Sequence, residues 1–175
     1  MNMADKDLYT KVKSDLANAG INDGHFQWYA LMLGALAKGI TPGNRVFNSI
    51  FSNLLNDGEP LPGAVVAAMT NLAMDCESKL ENADEDLFAM PDSSEEKKTR
   101  LQVLADLSYG LSLGLSINSE DGTMEKIKDK DLLADLATIS EVSRVDTDAD
   151  LDEEDLKNVL EFMLDVLTKT YQKHQ

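Results

Sequence analysis

The sequence predicts an all-α fold, a single domain of about seven helices over residues 1–175 packed around two central glycine-containing helices. Apolar residues recur every three or four positions in seven segments, the spacing of one helix face. Two segments, residues 29–34 and 109–114, share the pattern Tyr-small-Leu-x-Leu-Gly. Both are apolar almost all the way round, which is typical of buried central helices.

The spacing of small residues in these two segments predicts where they meet. Ala30 and Gly34, and likewise Gly110 and Gly114, lie four residues apart and therefore share a helix face. We expect the two helices to cross at these positions with their backbones close together. Residues 111–117 also alternate between apolar and small residues, which is a strand signal. A helix is favoured, because a lone strand would leave its backbone groups unpaired.

The first half of the chain divides into four predicted helices. A stripe of Leu8, Val12 and Leu16 indicates a helix over residues 5–18. The second covers residues 26–38, with Asp23 as its cap. Thr41-Pro42 opens a third, because proline fits the first helical turn. The fourth covers residues 63–81.

An acidic irregular segment is predicted at residues 82–92. It also carries Leu87, Phe88, Met90 and Pro91, apolar residues that a purely disordered linker would lack. We expect these side chains to pin the segment onto the body; the alternative is a patch that binds a partner.

Three more helices follow. Ser93 and Glu96 form a capping box that opens the fifth. Asp129 or Asp131 opens the sixth, and the seventh begins at about Leu151. The acids at the start of the seventh helix and the lysines near its end suit the helix dipole.

The net charge of −16 is concentrated in two segments, residues 75–96 and 141–165. Such a field repels nucleic acid and anionic membranes and attracts basic surfaces. The sequence therefore predicts a basic protein partner, no direct nucleic acid contact and no membrane contact. The alternative is that the acids only keep the protein soluble. The candidate partner-binding residues are Asp84, Glu85, Asp86, Asp146, Asp148, Asp150, Asp152 and Glu153.

No catalytic, cofactor or metal site is predicted. Asp146, Asp148 and Asp150 resemble the start of a calcium loop, but the glycine and glutamate that an EF-hand requires are Leu151 and Lys157 here. Cys76 lies on an apolar stripe and is expected to be a small buried residue. Asp106, on the central fifth helix, is interpreted as a hydrogen-bond partner between helices.

The chain is expected to be cytoplasmic. Residues 1–7 carry charge without an apolar run, so no secretory signal is predicted. The longest apolar run, residues 28–37, is shorter than the roughly 20 residues that a membrane-spanning helix needs.

Three parts of the chain together resemble the YecA/YgfB-like family of bacterial proteins. Residues 28–36 are similar to the family's Leu-His-Gly-x-x-x-Gly-Leu-Leu segment and keep its second glycine, Gly34. Residues 106–114 are similar to its Asp-Trp-x-x-x-Phe-x-x-Gly segment. The acidic-linked helix pair that includes residues 133–136 and 150–154 is the third part.

The resemblance implies an all-α fold, a homodimer and no established enzyme activity. The sequence departs from the family at Tyr29-Ala30, where the family has His-Gly, and at Leu107, where it has tryptophan. A function that depends on that histidine is therefore not expected. Longer members end in a cysteine-rich metal-binding tail, whereas this sequence stops at Gln175.

The predicted function is that of a non-enzymatic interaction or regulatory protein whose acidic faces bind a basic protein. One alternative is an enzyme or small-molecule carrier with its site between the central helices, beside Asp106. A less favoured alternative is a DNA mimic, which needs carboxylates spaced like phosphates along one face. Self-association through Trp28, Phe88 and Met90 is a separate hypothesis, because exposed apolar patches often mark interfaces.

Overall fold

The computed structural model describes residues 3–22, 24–84, 87–88, 97–146 and 152–175. The described residues form seven α-helices, and the all-α prediction is confirmed. The helices are α1 (Met3–Asn18), α2 (His25–Ala37), α3 (Arg45–Leu55), α4 (Gly63–Glu81), α5 (Lys97–Leu115), α6 (Lys130–Val142) and α7 (Glu153–Lys173).

Helix α2 lies at the centre of the molecule. Every residue from Trp28 to Ala37 is buried, as its nearly uninterrupted apolar sequence predicts. Its most extensive contact is with α5, and it also packs against α4 and α7. Helix α1 covers α4, and α6 packs against α5 and α7. Helices α4, α6 and α7 therefore pack directly against α2 or α5, and α1 lies outside α4.

Helix α3 begins later than the sequence predicts. The prediction that Thr41-Pro42 opens it is wrong, because Gly43 has a φ of 77°, a left-handed conformation that a helix cannot include. The helix starts after Asn44, whose side chain accepts a hydrogen bond of 2.8 Å from the backbone N–H of Phe47. Asn44 is therefore the N-cap.

The start of α2 also differs from the prediction. Gly24 occupies the N-cap position of α2 with a φ of 74°, one residue after the predicted cap Asp23. Asp23 itself lies outside the described residues. The burial of the ten residues from Trp28 to Ala37 stabilises α2.

The later helices begin close to the predicted positions. Asp129 caps α6 by accepting from the backbone N–H groups of Asp131 and Leu132. Asp152 caps α7, one residue beyond the predicted start. Residues 97–115 are continuously helical, which excludes the strand interpretation of that part of the sequence. The capping box at Ser93–Glu96 lies outside the described residues.

A short turn leads the chain from α5 to α6. Ile117 and Met124 form an isolated antiparallel bridge, and Asn118 N–H donates to the carbonyl of Thr123 at 2.8 Å. The turn packs against α3, since the backbone of Gly122 approaches the side chains of Val46 and Ile50. Residues 125–129 then run in non-helical conformation to the N-cap of α6.

Leu87 and Phe88 bind the irregular segment to the core. Both side chains are buried, and the Tyr29 hydroxyl donates to the carbonyl of Leu87 at 2.6 Å. The prediction that these two residues pin the segment is confirmed. Residues 82–84 form the turn that ends α4; Glu85, Asp86 and residues 89–92 lie outside the described residues.

The burial of the aromatic residues removes one argument for self-association. Trp28 is completely buried, and its indole N–H donates to the imidazole of His25 at 3.0 Å. Phe88 is buried as well, so neither residue is exposed to a second molecule as that hypothesis required. Met90 lies outside the described residues.

None of the helices in the described ranges combines the length and the apolar character needed to cross a bilayer.

Candidate functional sites

The crossing of α2 and α5 is a contact between two backbones. A Cβ atom added to Gly110 would lie 2.1 Å from the carbonyl oxygen of Gln27, and one added to Gly114 would lie 2.4 Å from that of Leu31. Real Cβ atoms do not approach other atoms so closely. These two positions therefore have no room for any side chain.

Helix α2 supplies a matching small surface. A Cβ atom on Gly34 would lie 2.7 Å from the backbone nitrogen of Leu115 and 2.8 Å from Gly114 Cα. Ala30, the fourth predicted crossing residue, is completely buried. The structure thus places Gly34, Gly110 and Gly114 at the point where the two helices touch.

Asp106 lies beside this crossing and accepts hydrogen bonds from two glutamine side chains. Its Oδ1 accepts hydrogen bonds from Gln27 of α2 at 3.3 Å and from Gln102 of α5 at 3.1 Å. Asp106 lines none of the three surface cavities discussed below. This geometry favours a structural role, in which the carboxylate links α5 to α2.

The core next to the crossing contains nucleophilic groups in an apolar environment. Cys76 is buried, and burial raises the pKa of its thiol to about 12. Burial also raises the pKa of Tyr9 to about 12 and that of Tyr29 well above its ordinary value. A thiol in this state is an inert core group, since the thiolate is the reactive form.

Four of the eight candidate partner-binding residues fall within the described chain, and two of them, Asp152 and Glu153, act at the start of α7. Asp152 accepts from the backbone N–H of Asp155 at 2.8 Å as the N-cap of α7. Glu153 forms a two-pronged ion pair with Arg100 of α5, and this hydrogen bonding lowers the pKa of Glu153. These two carboxylates therefore stabilise the start of α7.

The other two described candidates differ in exposure. Asp146 is exposed after the end of α6, and Asp84 is half-buried in the turn after α4. Glu85, Asp86, Asp148 and Asp150 lie outside the described residues. Asp146 therefore lies on the exposed surface just after α6, away from the start of α7.

Helix α7 presents an acidic stripe that the candidate residues did not include. Glu154, Glu161 and Asp165 are all exposed, and their spacing of seven and four residues places them on one helix face. The stripe extends over about 16 Å at 1.5 Å per residue. Buried Leu156, Met163 and Leu167 hold the opposite face of α7 on the core. We call these three acids the α7 acidic stripe.

A second surface feature is a cavity of about 750 Å³ at the end of α7. Its walls come from the residues between the turn and α6, from the start of α6, from the end of α7 and from Lys38. Although the chain has only 16 basic residues, five lysines line this cavity, which we call the lysine cleft: Lys38, Lys126, Lys128, Lys169 and Lys173.

Three of these lysines are paired with carboxylates of the same cleft. Lys38 lies 3.4 Å from Glu125, Lys169 lies 3.0 Å from Asp135, and Lys173 pairs with Asp129. The hydrogen bond from Lys173 lowers the pKa of Asp129, and the hydrogen bond to Asp135 raises the pKa of Lys169. Each shift favours the charged form of the paired group.

Lys38 is the least exposed of the five lysines. It follows the last turn of α2, and only 5% of its side chain is exposed. Ile127 and Leu132 add buried apolar surface to the same cavity. The cleft thus combines a buried ammonium group, surface lysines and an apolar wall, which is the mixture found in small-molecule sites.

Two smaller cavities lie elsewhere. One of about 250 Å³ is lined by Leu156, Leu160 and Leu164 of α7 together with Phe88 and Arg100. The other, of about 380 Å³, lies between the end of α4 and Thr41-Pro42. Across the described ranges, no group of three or more histidine, cysteine or carboxylate side chains is arranged to hold a metal ion.

The lysine cleft was missed at the level of sequence because its lysines come from three distant parts of the chain. The local signal is the alternation of Lys126, Lys128 and Lys130, in a chain that is otherwise strongly acidic. Lys169 and Lys173 lie near the end of α7, where the helix dipole by itself accounts for lysines. The α7 acidic stripe could have been found by plotting the acids of residues 154–165 on a helical wheel.

Comparison of the chain with models of known protein families gives no match, and a search of curated proteins also gives no significant match. The resemblance to the YecA/YgfB-like family therefore stays a prediction that rests on the motifs quoted above.

Proposed function

We propose that this protein is a non-enzymatic interaction protein that binds a basic protein partner through its acidic surface. The α7 acidic stripe carries the proposal. Its three carboxylates are exposed on one face of a helix whose other face is fixed in the core. A rigid row of like charges attracts a basic surface and sets the direction from which it approaches.

The charge of the whole chain supports the same function. With a net charge of −16 and a pI of about 4.3, the protein attracts cationic partners from a distance. Exposed Asp146 adds to this acidic surface. Asp152 and Glu153 are assigned instead to holding α7 in place, because Asp152 is the N-cap of the helix and Glu153 pairs with the buried Arg100 of α5.

A regulatory role in a YecA/YgfB-like homodimer belongs to the same proposal. A DNA mimic is the weaker alternative, because Lys157 lies 3.9 Å from Glu161 and places a positive charge within the acidic surface. A phosphate backbone carries no such charge. An enzyme or carrier site beside Asp106 is likewise less favoured than the interaction protein, since the Asp106 carboxylate accepts hydrogen bonds from two glutamines.

The test compares two variants with the same change in net charge. In the first, Glu154→Gln, Glu161→Gln and Asp165→Asn neutralise the α7 acidic stripe. In the control, Asp7→Asn, Glu59→Gln and Glu120→Gln neutralise three exposed acids elsewhere. Each immobilised protein is exposed to nuclease-treated source lysate, and bound proteins are eluted with rising salt and identified by mass spectrometry.

The proposal expects a basic protein that is retained by the unmodified chain and by the control, and that is lost from the stripe variant. Circular dichroism verifies that both variants remain helical. Equal retention by the two variants would show that binding follows net charge alone, and the α7 acidic stripe would then not be the partner site.

A further inference from the structure

We propose that the lysine cleft is a binding site for a small organic anion, a molecule that carries a carboxylate or a phosphate group on an apolar body. This site is separate from the α7 acidic stripe and does not depend on the proposed protein partner. The cavity of about 750 Å³ is within the range of about 300–1,000 Å³ that is typical of small-molecule sites.

The charges of the cleft leave a positive remainder. Lys38, Lys169 and Lys173 are each neutralised by a carboxylate of the lining. Lys126 and Lys128 line the same cavity, and neither forms an ion pair with any residue in the described part of the chain. Asp131 is the remaining acid of the lining. Two ammonium groups therefore face one carboxylate, in a chain whose overall charge is −16.

Lys38 adds a donor that is withdrawn from solvent. A lysine ammonium has three donors, and the single carboxylate near Lys38, that of Glu125, lies at the long distance of 3.4 Å. Burying an ammonium group is costly unless it is paired and hydrogen-bonded. An anion in the cleft would complete the coordination of this buried charge.

The apolar part of the ligand is matched by the cleft wall. Ile127 and Leu132 are each 8% exposed and line the cavity between the lysines. A ligand with both a charged and an apolar part gains from each surface, whereas a simple inorganic ion would contact only the lysines. This mixed lining is the reason for assigning an organic anion.

The acidic surface elsewhere does not prevent an anion from binding here. At physiological ionic strength, the Debye length is about 8 Å, so that distant carboxylates are largely screened. The cleft lysines act at contact distance, where screening is weak. The net charge therefore slows the approach of an anion more than it weakens the contacts that a bound anion makes with the cleft lysines.

The experiment follows backbone amide shifts of the isotope-labelled full chain during titration with inorganic phosphate and with hexanoate. Sodium chloride is the reference, and ionic strength is kept constant. We expect saturable shifts at residues 125–131 and 169–174, larger with hexanoate or phosphate than with chloride. Tighter binding of phosphate would assign a phosphate group to the ligand, and tighter binding of hexanoate would assign a carboxylate on an apolar body.

Two double variants test the assignment. Lys126→Gln with Lys128→Gln should weaken the binding of the better probe about tenfold, because a hydrogen bond to a charged group contributes more than a neutral one. Lys11→Gln with Lys157→Gln removes the same charge from side chains that are 63% and 75% exposed and lie outside the cleft. This control should change the affinity less than about twofold.

Two results would overturn the proposal. The first is the absence of saturable shifts with both probes. The second is equal weakening of binding by the two double variants, which would show that binding depends on the net charge of the protein and not on the cleft lysines. All four substituted lysines are surface residues, so loss of folding does not complicate either result.

Discussion

The α2–α5 crossing and the lysine cleft are opposite kinds of surface within one small fold. At the crossing, the two backbones touch, and Gly110 leaves no space between α5 and the carbonyl of Gln27. At the cleft, facing elements leave about 750 Å³ that is lined by paired charges. The first region is fixed by the absence of side chains, and the second by the charges that long side chains carry.

The difference shows that one region of this all-α domain is rigid and stabilises the fold, whereas the other can adjust its side chains. A backbone contact allows no adjustment, since atoms of the main chain cannot rotate away. A lysine can change its rotamer and exchange one carboxylate for another at little cost. We therefore expect substitutions at the crossing to affect stability and substitutions at the cleft to affect binding.

The largest effect is expected from Gly110→Ala, which breaks the crossing. Alanine favours a helix by about 1 kcal/mol over glycine, but its Cβ would lie 2.1 Å from the carbonyl oxygen of Gln27. Separating the helices should lower the free energy of unfolding by about 3 kcal/mol. Urea denaturation followed by circular dichroism measures the change.

The control for this substitution is Gly63→Ala at the start of α4, where an added Cβ meets nothing within 4 Å. It should leave the stability unchanged or raise it by up to about 1 kcal/mol. A Gly110→Ala protein as stable as the control would show that α2 and α5 can move apart freely.

The next effect is a loss of stability at alkaline pH, which originates in the core beside the crossing. An unfolded cysteine has a pKa of about 8.5, whereas burial raises the pKa of Cys76 to about 12. The folded state therefore holds the thiol proton more tightly. This contribution to the free energy of unfolding is fully present below about pH 8 and is lost as the pH rises towards about 12.

Cys76→Ala isolates this contribution. Between about pH 8 and pH 9, where tyrosines of the unfolded chain are still largely protonated, the slope of stability against pH should be shallower in the variant by roughly half a proton. Urea denaturation at a series of pH values gives the slopes. Identical slopes in the two proteins would contradict the assignment of Cys76 as a thiol that burial keeps protonated.

A smaller effect on stability is expected from Lys38→Met, which tests whether Lys38 contributes to anion binding rather than to the fold. Methionine fills the space of the lysine stem, and Glu125 is 34% exposed, so that water can solvate the carboxylate left behind. The free energy of unfolding should change by less than about 1 kcal/mol. The affinity of the cleft for the better anionic probe should fall at the same time.

Denaturant unfolding and amide titration of the same sample separate the two quantities. A loss of stability as large as that of Gly110→Ala would make Lys38 a structural group of the core. In that case, the side chains of the lysine cleft could not be changed without destabilising the fold.

The smallest effect is expected from Glu153→Gln, which weakens the link between α7 and Arg100. Only 11% of the Arg100 side chain is exposed, but Glu153 is 67% exposed and solvent weakens its side of the pair, so Tm should fall by about 2 °C or less. Because the pKa of Glu153 is lowered in the folded state, the contribution is present above the unfolded pKa and is lost as the pH falls through the folded value.

Thermal unfolding at neutral and acidic pH, with Glu154→Gln as the matched neighbour, measures this effect. The two variants should differ at neutral pH and converge in acid. A difference that persists in acid would contradict an ionic origin.

The sequence predicted those features that depend on residues close together in the chain. Helix α4 covers the predicted residues 63–81, and Asp129 caps α6, because apolar periodicity and capping side chains act over a few residues. The small residues four apart indicated the crossing for the same reason. Local patterns did not reveal the start of α3, where Gly43 lies against Thr70 of α4 and adopts a left-handed conformation.

The sequence by itself determined the helical class, the two central helices and the strongly acidic charge, since each is a property of composition or of local spacing. Only the tertiary structure decided which charges face one another. Lys38, Lys126 and Lys169 are far apart in the chain and meet because α2, the turn and α7 end at the same place. The position of a charged group relative to distant residues depends on the packing of every intervening helix, and no local rule specifies that packing.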